Sequence, residues 1–231
     1  MTERHPDVAV LPLFGDLSLE AQQDAIMPDV RGRRKIVLAT SIAETSLTIE
    51  GIRVVVDSGY SRVPRFDART GLTRLETVRV TLDSADQRAG RAGRLGPGVC
   101  QRLWSAQTQN RLNPTRTPEI LEADLAPLRL ELAQWGVRDA SDLSWITPPP
   151  AGALRQAGAL LQQLGAMREG ELTERGRTMI EWPTHPRLAH LLLESQMHTG
   201  RGNQLPALAA DLAALLDERD QIGRASCRER V

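Results

Sequence analysis

The chain has one lysine, Lys35, so arginine carries nearly all of its positive charge. Its two cysteines, Cys100 and Cys227, stand far apart with no CxxC or Cys/His spacing. That argues against both a zinc site and a disulfide framework, and Cys100 reads as a small core residue. The four histidines, His5, His185, His190 and His198, show no ligand spacing either. They read as surface or cap residues, and no metal site is expected among them. There is no run of eighteen apolar residues and no charged start followed by an apolar signal stretch, so the expectation is a cytoplasmic chain with no membrane partner. Neither a repeat nor a low-complexity tract is present.

A formal net charge of zero argues against a strongly basic nucleic-acid module. Distribution matters more than the sum. The stretch from Arg53 to Arg102 is net basic, while acids collect at Glu119 to Asp124 and at Asp211 to Asp220. With 231 residues, 41% of them apolar, the chain can hold one large domain or two smaller ones.

The stretch around which the rest is organised is Ser84 to Arg94, SADQRAGRAGR. Ser84 followed three residues later by Gln87 reads as a capping box that starts a helix. Residues at i, i+4 and i+7 share a helical face, which would place Gln87, Arg91 and Arg94 in one row and turn Arg88 aside. A row of planar guanidiniums suits a phosphate. A solvated arginine-rich helix is the plainer explanation, but Gly90 and Gly93 weigh against it. Each glycine in an exposed helix costs about 1 kcal/mol unless packing or function requires it.

Around that stretch, short apolar runs alternate with helical patterns. Val8 to Leu13, Lys35 to Ala39, Ile52 to Val56 and Val99 to Trp104 read as buried strands. Ser18 starts a helix that ends before Pro28, and Ser41-Ile-Ala-Glu44 reads as a second capping box. The alternation predicts an α/β domain with a parallel sheet covered on both faces and ligands at the strands' carboxyl ends. Those ends are Phe14-Gly15-Asp16, Thr40-Ser41 and Asp57-Ser58-Gly59. From Ser61 to Thr81 the pattern is instead a hairpin with its turn near Thr70-Gly71. Its arginines could grip a phosphate backbone or merely solvate an exposed hairpin.

Asn113 to Pro118 is a turn-rich break and the first expected boundary. Beyond it, helical periodicity runs from Glu119 to Trp135 and again from Ala151 to Leu164. A two-stranded wing turning at Glu169-Gly170 follows, then a helix capped by Thr173. Helices at Arg187 to Gln196 and Leu205 to Leu216 close the pattern. The divisions expected are 1–113 for the α/β lobe, 114–183 for a small winged-helix module, 184–220 for the start of a helical bundle and 221–231 for a foreign tail.

QRAGRAGR, Gln87 to Arg94, resembles motif VI of the DEAH-box and DExH branch of superfamily 2 helicases. TSIAETSLTI, Thr40 to Ile49, resembles motif V of the same branch, with Ser41 where asparagine is usual. The wording VPRFDARTGLTRLETVRV and QRAGRAGRLGPGVCQRLWS is similar to the HrpB-like bacterial members, and the resemblance spans Val8 to about Asp220.

It implies a RecA-like parallel-sheet lobe, the helicase C-terminal domain, followed by an α-helical winged-helix module and the start of a helical bundle. It implies an ATP-dependent RNA helicase with ATP and Mg²⁺ as cofactors and single-stranded nucleic acid, RNA by family, as partner. By resemblance, Gln87, Arg91 and Arg94 are catalytic and reach the γ-phosphate. Ile26, Thr45, Ser46, Glu50 and Asp57 lie on the ATP side, with Ile26 against adenine, Thr45 and Ser46 coupling the two sides and Glu50 near the ribose. Gly15, Thr40 and Ser41 hold the nucleic acid.

Neither a GxxxxGK[ST] loop nor a DEAH-like tetrapeptide occurs. The nucleotide and its Mg²⁺ are therefore expected to be held mainly by a missing N-terminal RecA-like lobe, and the chain alone is expected to be inactive. The tail IGRASCRERV, Ile222 to Val231, departs from the family and resembles a translated sequencing adapter, so a fragment is expected. The alternative is a free-standing regulatory or nucleic-acid-binding module without catalysis.

Overall fold

The computed structural model describes residues 5–45, 47–67, 71–198 and 204–217. Ser46, the hairpin turn at Thr70 and the tail from Ile222 lie outside the described residues. The chain divides into two compact units that meet at Thr117 and Pro118.

In the first unit, β1 (Val8–Leu13) and β2 (Arg34–Ala39) pair in parallel, with Leu13 opposite Ala39. Between them runs α1 (Leu19–Ile26), capped where Ser18 Oγ accepts the Ala21 N–H at 3.3 Å. The lone lysine ties these elements together. Lys35 Nζ donates to the carbonyls of Ala25 at 2.9 Å and Met27 at 2.5 Å, so a β2 side chain closes the end of α1. Burial lowers its pKa, against the pull of Asp29 and Glu50.

A short helix, α2 (Ile42–Thr45), follows β2. Next come β3 (Val54–Asp57) and an antiparallel hairpin of β4 (Tyr60–Asp67) and β5 (Leu72–Arg79), which pair from Tyr60↔Arg79 to Asp67↔Leu72. On that hairpin Arg79 lies over the Tyr60 ring, 4.4 Å from its centre, and Arg65 pairs with Glu76 at 3.5 Å. Both arginines are thus engaged within the hairpin. After α3 (Leu82–Gly90), β6 (Val99–Arg102) pairs in parallel with β3, and α4 (Ala106–Gln109) follows.

Two expectations need correction here. The strands pair in parallel as expected, β1 with β2 and β3 with β6 among the described residues, but Ile36, Leu38, Val54 and Val56 are exposed, so the sheet is not covered on both faces there. The apolar runs are therefore covered on one face only. The helix expected to start at Ser84 begins at Leu82, after Thr81. Ser84 sits inside it and is buried, because the underside of α3 packs Ala85 against Val80 and Leu112.

The second unit is helical. The periodicity from Glu119 to Trp135 does not make one helix: a single 3₁₀ turn spans Glu119–Leu121, and α5 runs Ala126–Gln134. Pro127 has no N–H to give to a preceding turn. Asp124 Oδ1 accepts the Ala126 N–H at 2.9 Å and restarts the helix there. After a further 3₁₀ turn at Ala140–Asp142 come α6 (Ala151–Gln163), the hairpin β7 (Met167–Arg168) and β8 (Glu171–Leu172), and α7 (Glu174–Ile180).

Glu169 and Gly170 take positive φ in that hairpin's turn, and Thr173 Oγ1 accepts the Gly176 N–H at 3.1 Å to cap α7. His185, expected as a surface or cap residue, caps α8 (Pro186–Met197) and also meets Asp124 at 3.0 Å. The last helix is α9 (Gln204–Asp217). Leu130, Leu161, Met167 and Met179 form the core. Full burial of a side chain such as Leu161 is worth about 1.5–3 kcal/mol. Among the described residues no helix is long and apolar enough to cross a membrane.

Candidate functional site

The site lies where β2 ends and α3 begins, and it is built on a carboxylate, Glu44, that spacing marked only as part of a capping box. Glu44 is 4% exposed. Its expected part in a capping box at Ser41 is not what its side chain does. Oε1 accepts from Arg88 Nε at 2.8 Å, Oε2 pairs with Arg116 Nη2, and Ser84 Oγ approaches Oε2 at 3.5 Å. A buried carboxylate needs such partners, because an isolated charge taken out of water is strongly unfavourable.

Arg88 also donates through Nη1 to Asp57 Oδ1 at 2.8 Å and to the Tyr60 carbonyl at 3.0 Å. Burial acts against its charge, but the hydrogen bonds and charges of Glu44 and Asp57 prevail and raise its pKa. Asp57 is expected on the ATP side, yet its side chain is fully buried and holds the turn by accepting the Gly59 N–H at 2.9 Å.

The arginine row differs from the expected one. Because α3 stops at Gly90, the chain continues as tight turns in which the Arg91 N–H donates to the Arg88 carbonyl at 3.1 Å and the Ala92 N–H to the Ala89 carbonyl at 3.1 Å. A repeat of three then replaces 3.6, and side chains three apart line up. Arg88, Arg91 and Arg94 all turn toward the α2 end, bonding to Glu44, Leu47 and Thr48, while Gln87 is exposed on the helix.

Arg91 donates through Nε to the Glu44 carbonyl at 3.0 Å and through Nη1 to the Leu47 carbonyl at 2.6 Å. Its pKa is lowered by burial first and then by the charge of Arg94. Arg94, exposed, donates through Nη1 to Thr48 Oγ1 at 2.6 Å. The Arg91 guanidinium is engaged by backbone carbonyls, while that of Arg94, exposed and bonded to one hydroxyl, has the planar donor geometry that suits a phosphate oxygen.

Two further expected groups come together. The Thr40 N–H donates to the Leu13 carbonyl at 3.0 Å, so Gly15 and the exposed Thr40 and Ser41 stand at adjacent strand ends. The Glu50 N–H donates to the Ile26 carbonyl at 3.2 Å, which brings together two of the residues expected on the ATP side. Ile26 is half-buried and Glu50 exposed. Thr45 closes α2. Among the described residues no three His, Cys, Asp or Glu side chains lie together as metal ligands.

These features define a helicase C-terminal domain: residues 1–96 match the family described as Helicase conserved C-terminal domain. Over nearly its whole length the chain is similar to the HrpB-like DExH-box helicases. It is 48% identical to the ATP-dependent RNA helicase HrpB of Escherichia coli strain K12 over 217 residues, 94% of this chain and 26% of that protein. It also resembles the crystal structure of the E. coli DExH-box NTPase HrpB, with a TM-score of 0.78 and 48% identity over 93% of this chain. A second crystal structure, of the Escherichia coli DEAH/RHA helicase HrpB, matches with a TM-score of 0.84 and 48% identity over 94% of this chain. The chain spans about a quarter of the length of these relatives, 26% and 27% of the two crystallised chains.

Proposed function

We propose that this chain is the second RecA-like lobe, with a winged-helix module and the start of a helical bundle, of a cytoplasmic ATP-dependent RNA helicase. The observation that carries the proposal is the fan of Arg88, Arg91 and Arg94 onto Glu44, Leu47 and Thr48, next to the exposed strand ends Gly15 and Thr40-Ser41. What supports the reading is that Arg91 and Arg94 bond to Glu44, Leu47 and Thr48, a few residues along the chain from Thr40 and Ser41.

In this reading Arg94 and Arg91 meet the γ-phosphate of an ATP held by another RecA-like lobe and stabilise the charge that develops on phosphoryl transfer. Arginine fingers are worth roughly 10³ to 10⁵ in rate. Arg88 stays in its ion pairs and fixes the segment that Arg91 grips. Gln87, exposed beside the row, helps order the site. Ile26 and Glu50 face the base and ribose, Thr45 and Ser46 couple the two sides, and Asp57 acts from beneath through Arg88. Mg²⁺ would be held mainly by the other lobe. Gly15, Thr40 and Ser41 hold the backbone of single-stranded RNA, giving salt-sensitive, sequence-independent binding. The winged-helix module, residues 114–183, has no base-reading role in this proposal.

The test is a chimera in which residues 1–217 replace the matching stretch of Escherichia coli HrpB. ATP hydrolysis that rises with single-stranded RNA, set against none from the chain alone, supports the proposal. Hydrolysis by the chain alone contradicts it.

A further inference from the structure

The segment that leads out of the first unit is bonded to the start of α3, the helix that leads into the arginine row. Thr81, at the N-cap of α3, makes no side-chain cap bond; in the first turn Asp83 Oδ1 accepts the Ser84 N–H, at 2.7 Å. The helix's first two N–H groups go elsewhere: Leu82 donates to the Asn113 carbonyl at 2.9 Å and Asp83 to the Pro114 carbonyl at 3.1 Å. A helix N-terminus must find acceptors for such groups. Here the connector supplies them from more than thirty residues away.

Two residues on, Arg116 completes the attachment. Its Nε donates to Ser84 Oγ at 2.9 Å and its Nη2 pairs with Glu44 Oε2. Glu44 Oε1 meanwhile holds Arg88 Nε, and the Glu44 carbonyl holds Arg91. One buried carboxylate thus joins the connector to the arginine row.

We propose that Arg116 is a positioning residue: it latches the connector, residues 113–117, onto α3 and, through Glu44, sets where Arg88 and Arg91 stand. It touches no substrate. The consequence is coupling, since any pull on the connector from the second unit loads the carboxylate that orders the row. The latch stands on contacts within this chain; its effect on catalysis rests on the ATPase reading of the arginines.

The experiment therefore has two readouts. In the full chain, NMR follows the Arg88 Nε–H, which Glu44 shields. Arg116→Ala should speed its exchange by roughly tenfold, with Leu82 and Asp83 amides following, as expected when a local opening becomes easier. Arg116→Lys, which returns the charge, should recover most of the protection. An Arg88 signal and amides unchanged in Arg116→Ala would overturn the latch, as would a loss that lysine does not mend at all.

In the chimera, Arg116→Ala should lower kcat roughly fivefold or more with the KM for ATP unchanged, in the range of typical coupling between sites. A kcat within twofold of the parent would overturn the coupling. A parent chimera without ATPase would contradict the ATPase reading instead, and the Arg88 signal would still decide the latch.

Discussion

Arg88 Nη1 meets Asp57 Oδ1 at 2.8 Å, and the other oxygen of that buried carboxylate has no hydrogen-bond partner among the described residues. The same guanidinium also serves the buried Glu44. Arg88 is thus the main compensation for Asp57 and shares Glu44 with Arg116. Removing one partner of a buried ion pair costs about 3–5 kcal/mol, because the other charge is left stranded. Arg88→Leu should destabilise the first unit by about that amount in urea unfolding. An unchanged midpoint would mean the pair contributes nothing to the fold.

Asp29 gives a prediction in pH. Its Oδ2 accepts the backbone N–H groups of Arg31 and Arg33, each at 3.0 Å, and Oδ1 pairs with Arg33 Nη2 at 2.8 Å. The hydrogen bond from the Arg33 side chain leads in lowering its pKa from 3.8 to about 2. A depressed acid contributes its interaction above the unfolded pKa and loses it as pH falls through the folded one. Carboxyl NMR should show Asp29 titrating near 2 while the 29–33 turn persists to below pH 3.8, and Arg33→Gln should move that titration upward. A midpoint near 3.8 in the parent chain would contradict the turn as described.

Gly98 and Gly176 are required by space rather than by φ. A Cβ on Gly98 would stand 2.1 Å from the Ala92 carbonyl oxygen, and one on Gly176 would stand 2.2 Å from that of Ala166. Both obstacles are backbone, which cannot swing away as a side chain does. Overpacking of this kind costs about 1–3 kcal/mol or more. Gly98→Ala should lower the stability of the first unit and Gly176→Ala that of the second, as read by amide exchange in each unit. Gly15, with open space around it, should tolerate alanine in the same assay.

Some local signals matched local structure, while the capping boxes read at Ser84 and at Ser41–Glu44 did not. Ser18, Thr173 and the Glu169-Gly170 turn do what their side chains and dihedrals favour, and each apolar run predicted as a strand contains one. Long-range pairing was not legible. Nothing in spacing joins Glu44 to Arg88 and Arg116, which lie 44 and 72 residues away. The expected row of Gln87, Arg91 and Arg94 assumed that a helix continues past Gly90. It stops there, the repeat tightens to three, and Arg88 takes the place of Gln87. The helix from Glu119 failed similarly, because periodicity did not register the restart at Asp124 and Pro127. The two motifs nevertheless located the segments that meet.

The central claim is that the arginine row acts on a phosphate, and Arg94 tests it most directly. Arg91 also holds backbone carbonyls, so its loss would disturb the fold, whereas Arg94 is exposed and bonded to one hydroxyl. The measurement is steady-state ATP hydrolysis by the chimera with saturating single-stranded RNA, parent against Arg94→Ala. We expect an unchanged melting temperature and a kcat lower by roughly 10³ or more, the usual worth of an arginine finger. A kcat within twofold of the parent would contradict the claim.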